Sequence, residues 1–119
     1  MPALLQIGAE HVLVCDNSGP TIEGRPRAMD LIGEALGLGA SMIAIPVARL
    51  GAPFFDLRSG VAGEIAQTAV NYRIKLAIVG DIAPHIARSN ALRDWVIECN
   101  RRGEMCFVAN LGELEARDV

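Results

Sequence analysis

Residues 53–72, PFFDLRSGVAGEIAQTAVNY, decide how this chain folds, because they join a sharp reversal, a helical apolar pattern and the densest cluster of small and polar residues. Leu57, Val61, Ile65, Ala69 and Tyr72 recur every three or four positions. On a helix of 3.6 residues per turn they form one stripe, which is expected to be buried. Ser59, Gly60, Gly63 and Ala66 lie beside it, small enough to admit a neighbouring backbone or to leave room for a ligand or partner. Glu64, Gln67 and Asn71 make the solvent side. Pro53 suits a first helical turn, where no N–H is required, and Asp56 or Ser59 can accept bonds from the free N–H groups there. Such a terminus also attracts anions, so Ser59 beside Gly60 is a candidate to carry a phosphoryl group. The plainer reading makes Asp56 and Ser59 helix caps and the glycines packing positions.

Upstream of this stretch, residues 41–47 (SMIAIPV) form a continuous apolar run suited to a central strand, with Pro46 at its end because proline cannot donate to a ladder. Before that run, Pro26 opens a helical pattern carrying Met29, Ile32, Leu36 and Leu38 on one side, stopped by Gly37 and Gly39. Those glycines follow a helix and precede a strand, the reverse of the order in a phosphate loop. Residues 3–7 and 10–15 are two β-like runs parted by Gly8 and Ala9, and a hairpin joins them most economically.

Downstream, Arg73 closes the helix and residues 74–79 give another buried strand, with Gly80 and Asp81 at its carboxyl end. Residues 89–102 read as a helix with Leu92, Trp95, Val96 and Cys99 inward, stopped by Gly103. Residues 105–109 are the last strand, and Asn110 followed by Glu113 resembles a capping box for a short terminal helix. This alternation defines an α/β domain, 1–119, with a mostly parallel sheet, an N-terminal hairpin and about four helices. Sites in such sheets gather at the carboxyl ends of strands, which makes Asp16, Asp81, His85 and Asn110 candidates near the start of the central helix.

Composition narrows the function. A chain of 119 residues, 51% hydrophobic and 21% charged, supports one core. A net charge of −3 without a basic run, and only five aromatic residues to stack on bases, three phenylalanines, one tryptophan and one tyrosine, argue against nucleic acid as a partner. The longest apolar run, 42–48, contains Pro46 and is too short for a membrane span, and the N-terminus lacks signal-peptide character, so the protein is expected in the cytoplasm. Cys15, Cys99 and Cys106 are odd in number, without CxxC spacing, and read as reduced core residues. His11 and His85 lack metal-ligand spacing, so no metal and no cofactor is expected. An enzyme would use His85 as general base with Asp56 or Asp81 as its orienter, in a cleft of some hundreds of Å³. Arg58 can hold an anion or pair with Asp56 or Glu64.

Three segments, FFDLRSGVAGEI (54–65), VNYRIKLAIVGDI (70–82) and ALRDWVIECNRRGEMCFVANL (91–111), resemble a bacterial family catalogued as domain of unknown function 4180, over roughly residues 10–117. More remotely, the element order is similar to the STAS domains of sulfate transporters and anti-sigma-factor antagonists. In these a strand ends in an Asp-Ser-Ser-Gly motif that opens a helix. Asp56, Ser59 and Gly60 occupy comparable places, with Leu57 and Arg58 inserted. The STAS resemblance implies a regulatory domain whose serine before the glycine, Ser59 here, is phosphorylated to engage or release a partner. The expectation is therefore a small STAS-like α/β domain that binds a protein partner or a small anionic ligand, and that can form a homodimer. Its bound surface would comprise Asp56, Arg58, Ser59, Gly60, Gly63 and Glu64, with Asp81 and His85 nearby.

Overall fold

The computed structural model describes residues 3–117. Gly8, at a φ of 60°, turns the chain between strands β1 (Ala3–Ile7) and β2 (Glu10–Val14), which pair antiparallel as the hairpin expected from the sequence. From β2 the chain adds β3 (Met42–Pro46), β4 (Lys75–Val79) and β5 (Met105–Val108), each parallel to the one before, in the order β1-β2-β3-β4-β5. Pro46 takes the last position of β3, opposite Val79.

Because every crossover steps the same way and such connections are right-handed, the intervening helices must lie on one face of the sheet. The buried side chains agree. Helices α1 (Arg25–Gly37), α3 (Val61–Asn71) and α5 (Asn90–Arg102) share a core with Leu13, Ile43, Ile45, Leu76, Ile78 and Phe107. Alternate residues, among them Val12, Ala44, Ala77 and Cys106, face the other way and pack with Leu114 of α6 (Leu111–Arg117). At the outer edge of β5, the Phe107 N–H donates to Asn100 Oδ1 at 2.7 Å. Among the described residues no helix is long and apolar enough to cross a membrane.

Four expectations need correction. The 53–72 stretch is not one helix. It divides into α2 (Ala52–Phe55), a 3-10 turn (Leu57–Ser59) and α3. Asp56 is extended, at a φ of −100° and a ψ of 100°, which ends α2, and Gly60 at a φ of 80° resets the chain direction before α3. Of the expected stripe, Ile65 and Ala69 are buried and Leu57 and Val61 half-buried, but Tyr72 is 43% exposed because it lies past the last turn. In α1 the inward residues are Ala28, Ile32 and Ala35, so Leu36 is rotated one position out to solvent and Leu38 falls beyond the helix end. Finally, the Pro84 segment forms a further helix, α4 (Ala83–Arg88), which with the separate α2 makes six helices rather than four among the described residues.

Helix α3 ends without glycine. Arg73 adopts a φ of 58°, its N–H reaching the Val70 carbonyl at 3.0 Å while the Ile74 N–H reaches that of Ala69 at 3.0 Å. These two bonds make a Schellman termination with an L-residue in the left-handed position, at a cost of roughly 1 kcal/mol. Arg73→Gly should therefore raise stability by about 1 kcal/mol in chemical denaturation; a lower midpoint would contradict this account of the helix end.

Cys15 and Cys106 are buried and Cys99 half-buried, all as free thiols. Burial pushes the Cys15 thiol from about 9.0 up to about 11, with the Arg49 guanidinium opposing, and burial likewise raises Cys99 to about 11. A folded-state value above the unfolded one means that the stabilisation is complete below pH ~9 and lost as pH climbs toward ~11, where the unfolded chain ionises first. Melting temperature should accordingly fall across that window, and less steeply in Cys15→Ala. Parallel slopes for the two proteins would show that Cys15 contributes nothing to the alkaline loss.

Candidate functional site

The strand and helix geometry places the residues of the 53–60 segment against α4. Phe54 is fully buried, its ring 5.1 Å from that of Phe55 and 6.4 Å from that of Trp95, both edge-on. Anchored in this way, α2 presents Phe55 outward to α4, where it meets His85 ring to ring at 3.9 Å with an interplanar angle of 7°. Helix α4 is positioned by its own start: Asp81 Oδ1 accepts the Ala83 N–H at 2.9 Å and Pro84 sits in the first turn. One helical turn on from His85, Arg88 shares its face.

The result is a groove of about 400 Å³ whose walls include Phe55, Asp56, Arg58, His85 and Arg88, with apolar Ala52, Leu57 and Ala91. Its charge is mainly positive. Arg58 is 94% exposed and lies 3.5 Å from Asp56, whose carboxylate also accepts the Arg58 N–H at 3.2 Å. The Arg88 side chain makes no hydrogen bond or ion pair among the described residues, which leaves its guanidinium free to meet an anion. Ser89, at the rim, is occupied as the cap of α5, accepting the Leu92 N–H at 3.1 Å.

The expected site residues thus separate. Asp56, Arg58 and His85 come together in the groove. Ser59 is exposed, but its hydroxyl is engaged within its own loop, donating to the Pro53 carbonyl at 2.5 Å and accepting the Val61 N–H at 3.2 Å, so that it ties α2 to α3. Gly60 supplies the left-handed bend. Gly63 is exposed with no atom within 4 Å of where a Cβ would stand, so close packing does not explain it. Glu64 reaches across to α1, where its Oε1 accepts the Arg25 N–H at 2.8 Å. Asp81 lines a different cleft, with Ile86, Val96 and Phe107, and Asn110 caps α6 through the Glu113 N–H at 2.9 Å. Asp16 lies at the end of β2, where its carbonyl accepts from Arg49 at 3.1 Å.

Sequence reasoning missed Phe55 and Arg88. Reading Asp81 and Pro84 as a helix start would have placed His85 and Arg88 on one face. Nothing in the sequence pointed to the Phe55–His85 stack, which depends on the break at Asp56.

Comparison with known families covers nearly the whole of this architecture: the family model described as Domain of unknown function (DUF4180) matches residues 7–117. The chain belongs to the DUF4180 family. The match takes in both walls of the groove of this DUF4180 domain, and its description assigns no activity. No curated protein and no solved structure gives a significant match.

The neighbours Gly63 and Glu64 yield opposite expectations. Gly63→Ala fills open space in an exposed helix and should stabilise by about 0.5–1 kcal/mol. Glu64→Ala removes the acceptor for a first-turn N–H of α1, whose N-cap, Gly24, offers no side chain, and should cost about 1 kcal/mol. Denaturant midpoints that move the same way in the two variants would refute this division of roles.

Proposed function

We propose that this domain is a binding module for a small anionic ligand, held in the groove between the 55–58 segment and α4. The observation that carries the reading is the convergence of Arg58, Arg88 and His85 on one concave space of about 400 Å³, within the size range of small-molecule sites. A concave groove suits a small ligand better than the shallow surface expected for a protein-docking regulator. The helix start itself contributes less than the sequence suggested, because Ser59 and Glu64 are engaged in holding α2, α3 and α1 together.

Binding is favoured over catalysis by how the carboxylates are disposed. A general base needs an orienting partner within hydrogen-bond reach. Asp56 is turned to Arg58, Asp81 caps α4, and among the described residues neither bonds the His85 ring. A histidine laid flat on a phenylalanine serves as a wall, and two guanidiniums supply charge-assisted donors for phosphate or carboxylate oxygens.

Titration of ¹⁵N-labelled protein with methyl phosphate tests the reading. Amide shifts should concentrate at Arg58 and along α4, and Arg88→Ala should weaken binding by about tenfold, the loss of one charge-assisted hydrogen bond. Absence of any saturable shift at these amides would remove the anion site.

A further inference from the structure

The groove has a second chemical character besides its charge. Phe55 and His85 are parallel and stacked at contact distance, and both line the cavity. Phe55 is buried and covers one face of the imidazole; His85 is half-buried, and among the described residues no second aromatic ring covers its opposite face. A lone histidine on a mobile loop makes a poor platform. Here the ring is backed by Phe55, which is itself fixed by Phe54 in the core, so its orientation is set before any ligand arrives. Ala52 and Ala91, the smallest chiral side chains, leave space within the same walls.

We infer that the ligand is a planar aromatic or heteroaromatic anion, its ring laid on His85 and its acid group taken by Arg88, with Arg58 at the side. This rests on the groove being the anion site. The geometry divides the work between the two cations. Arg58 already faces Asp56 at 3.5 Å, so its charge is partly answered, whereas Arg88 carries its charge unshared among the described residues. Asp56 also disfavours a second acid group on the Arg58 side, which selects for a ligand with one anionic end and one flat apolar end. An aliphatic anion would satisfy Arg88 and leave the imidazole face wet; an aromatic one covers both, in the offset or edge-to-face arrangements that rings prefer.

The test compares phenyl phosphate with cyclohexyl phosphate, equal in charge and similar in size but different in planarity, by calorimetry and ¹⁵N NMR on the full chain. Phenyl phosphate should bind on the order of tenfold more tightly. His85→Phe, which keeps a flat ring over Phe55, should retain that preference, and His85→Ala should erase it while both phosphates still bind. Should the alanine variant fail to fold, the wild-type ratio and the phenylalanine variant decide the matter between them. Equal affinities in the wild type would overturn the stacking inference and leave the anion site standing. No saturable binding of either phosphate, with methyl phosphate equally silent, would overturn both.

Discussion

The burial of Phe54 is the constraint from which the rest of the working surface follows. Its ring has no exposure, and it contacts Phe55 on one side and Trp95 on the other, while Trp95 in turn meets Phe107 of β5 at 5.8 Å. An aromatic chain therefore runs from the sheet through α5 to α2 and ends at His85 on α4. Each contact is edge-to-face except the last, which is stacked. A helix as short as α2 could not hold its place alone, since four residues provide too few internal hydrogen bonds to offset their ordering. Pinned by Phe54, it carries Phe55, Asp56 and Arg58 to fixed positions at the end of the sheet.

A second set of contacts sets the helices against one another. Glu64 of α3 satisfies the start of α1, and the Thr68 hydroxyl, one turn on, returns to the Glu64 carbonyl at 2.7 Å. The polar side of α3 is thus partly internal to the fold, even though its residues look solvated in a helical projection. Ala28, Ile32 and Ala35 from α1 and Ala62, Ile65 and Ala69 from α3 give both helices small inward residues, which allows them to share one face of the sheet.

How much of this was legible follows from range. The hairpin, the continuous apolar strands and the order of alternation were readable because each depends on residues close in sequence: Gly8 for the turn, Pro46 for a strand end, Gly103 for a helix stop and Asn110 with Glu113 for a cap. The central stretch was misread because Leu57, Val61, Ile65 and Ala69 keep helical spacing across a break. The signals for that break, an Asp56 side chain bonding forward to the Arg58 N–H and a glycine at positive φ, carry little weight in a periodicity count. Half of the groove was visible, as Asp56, Arg58 and His85. The other half, Phe55 and Arg88, depends on α2 and α4 meeting, a contact between residues about thirty positions apart that no local pattern encodes.

The two margins of the sheet are not equivalent. At β5 the Phe107 N–H is already bonded to Asn100, so an incoming strand would find that donor taken. At β1 no such guard occurs among the described residues, and Leu4 and Leu5 are 44% and 43% exposed on opposite faces of a strand without charge or proline. A strand added to this sheet would therefore meet an occupied donor at β5 and a bare, apolar flank at β1, so the two margins differ in how readily they accept one.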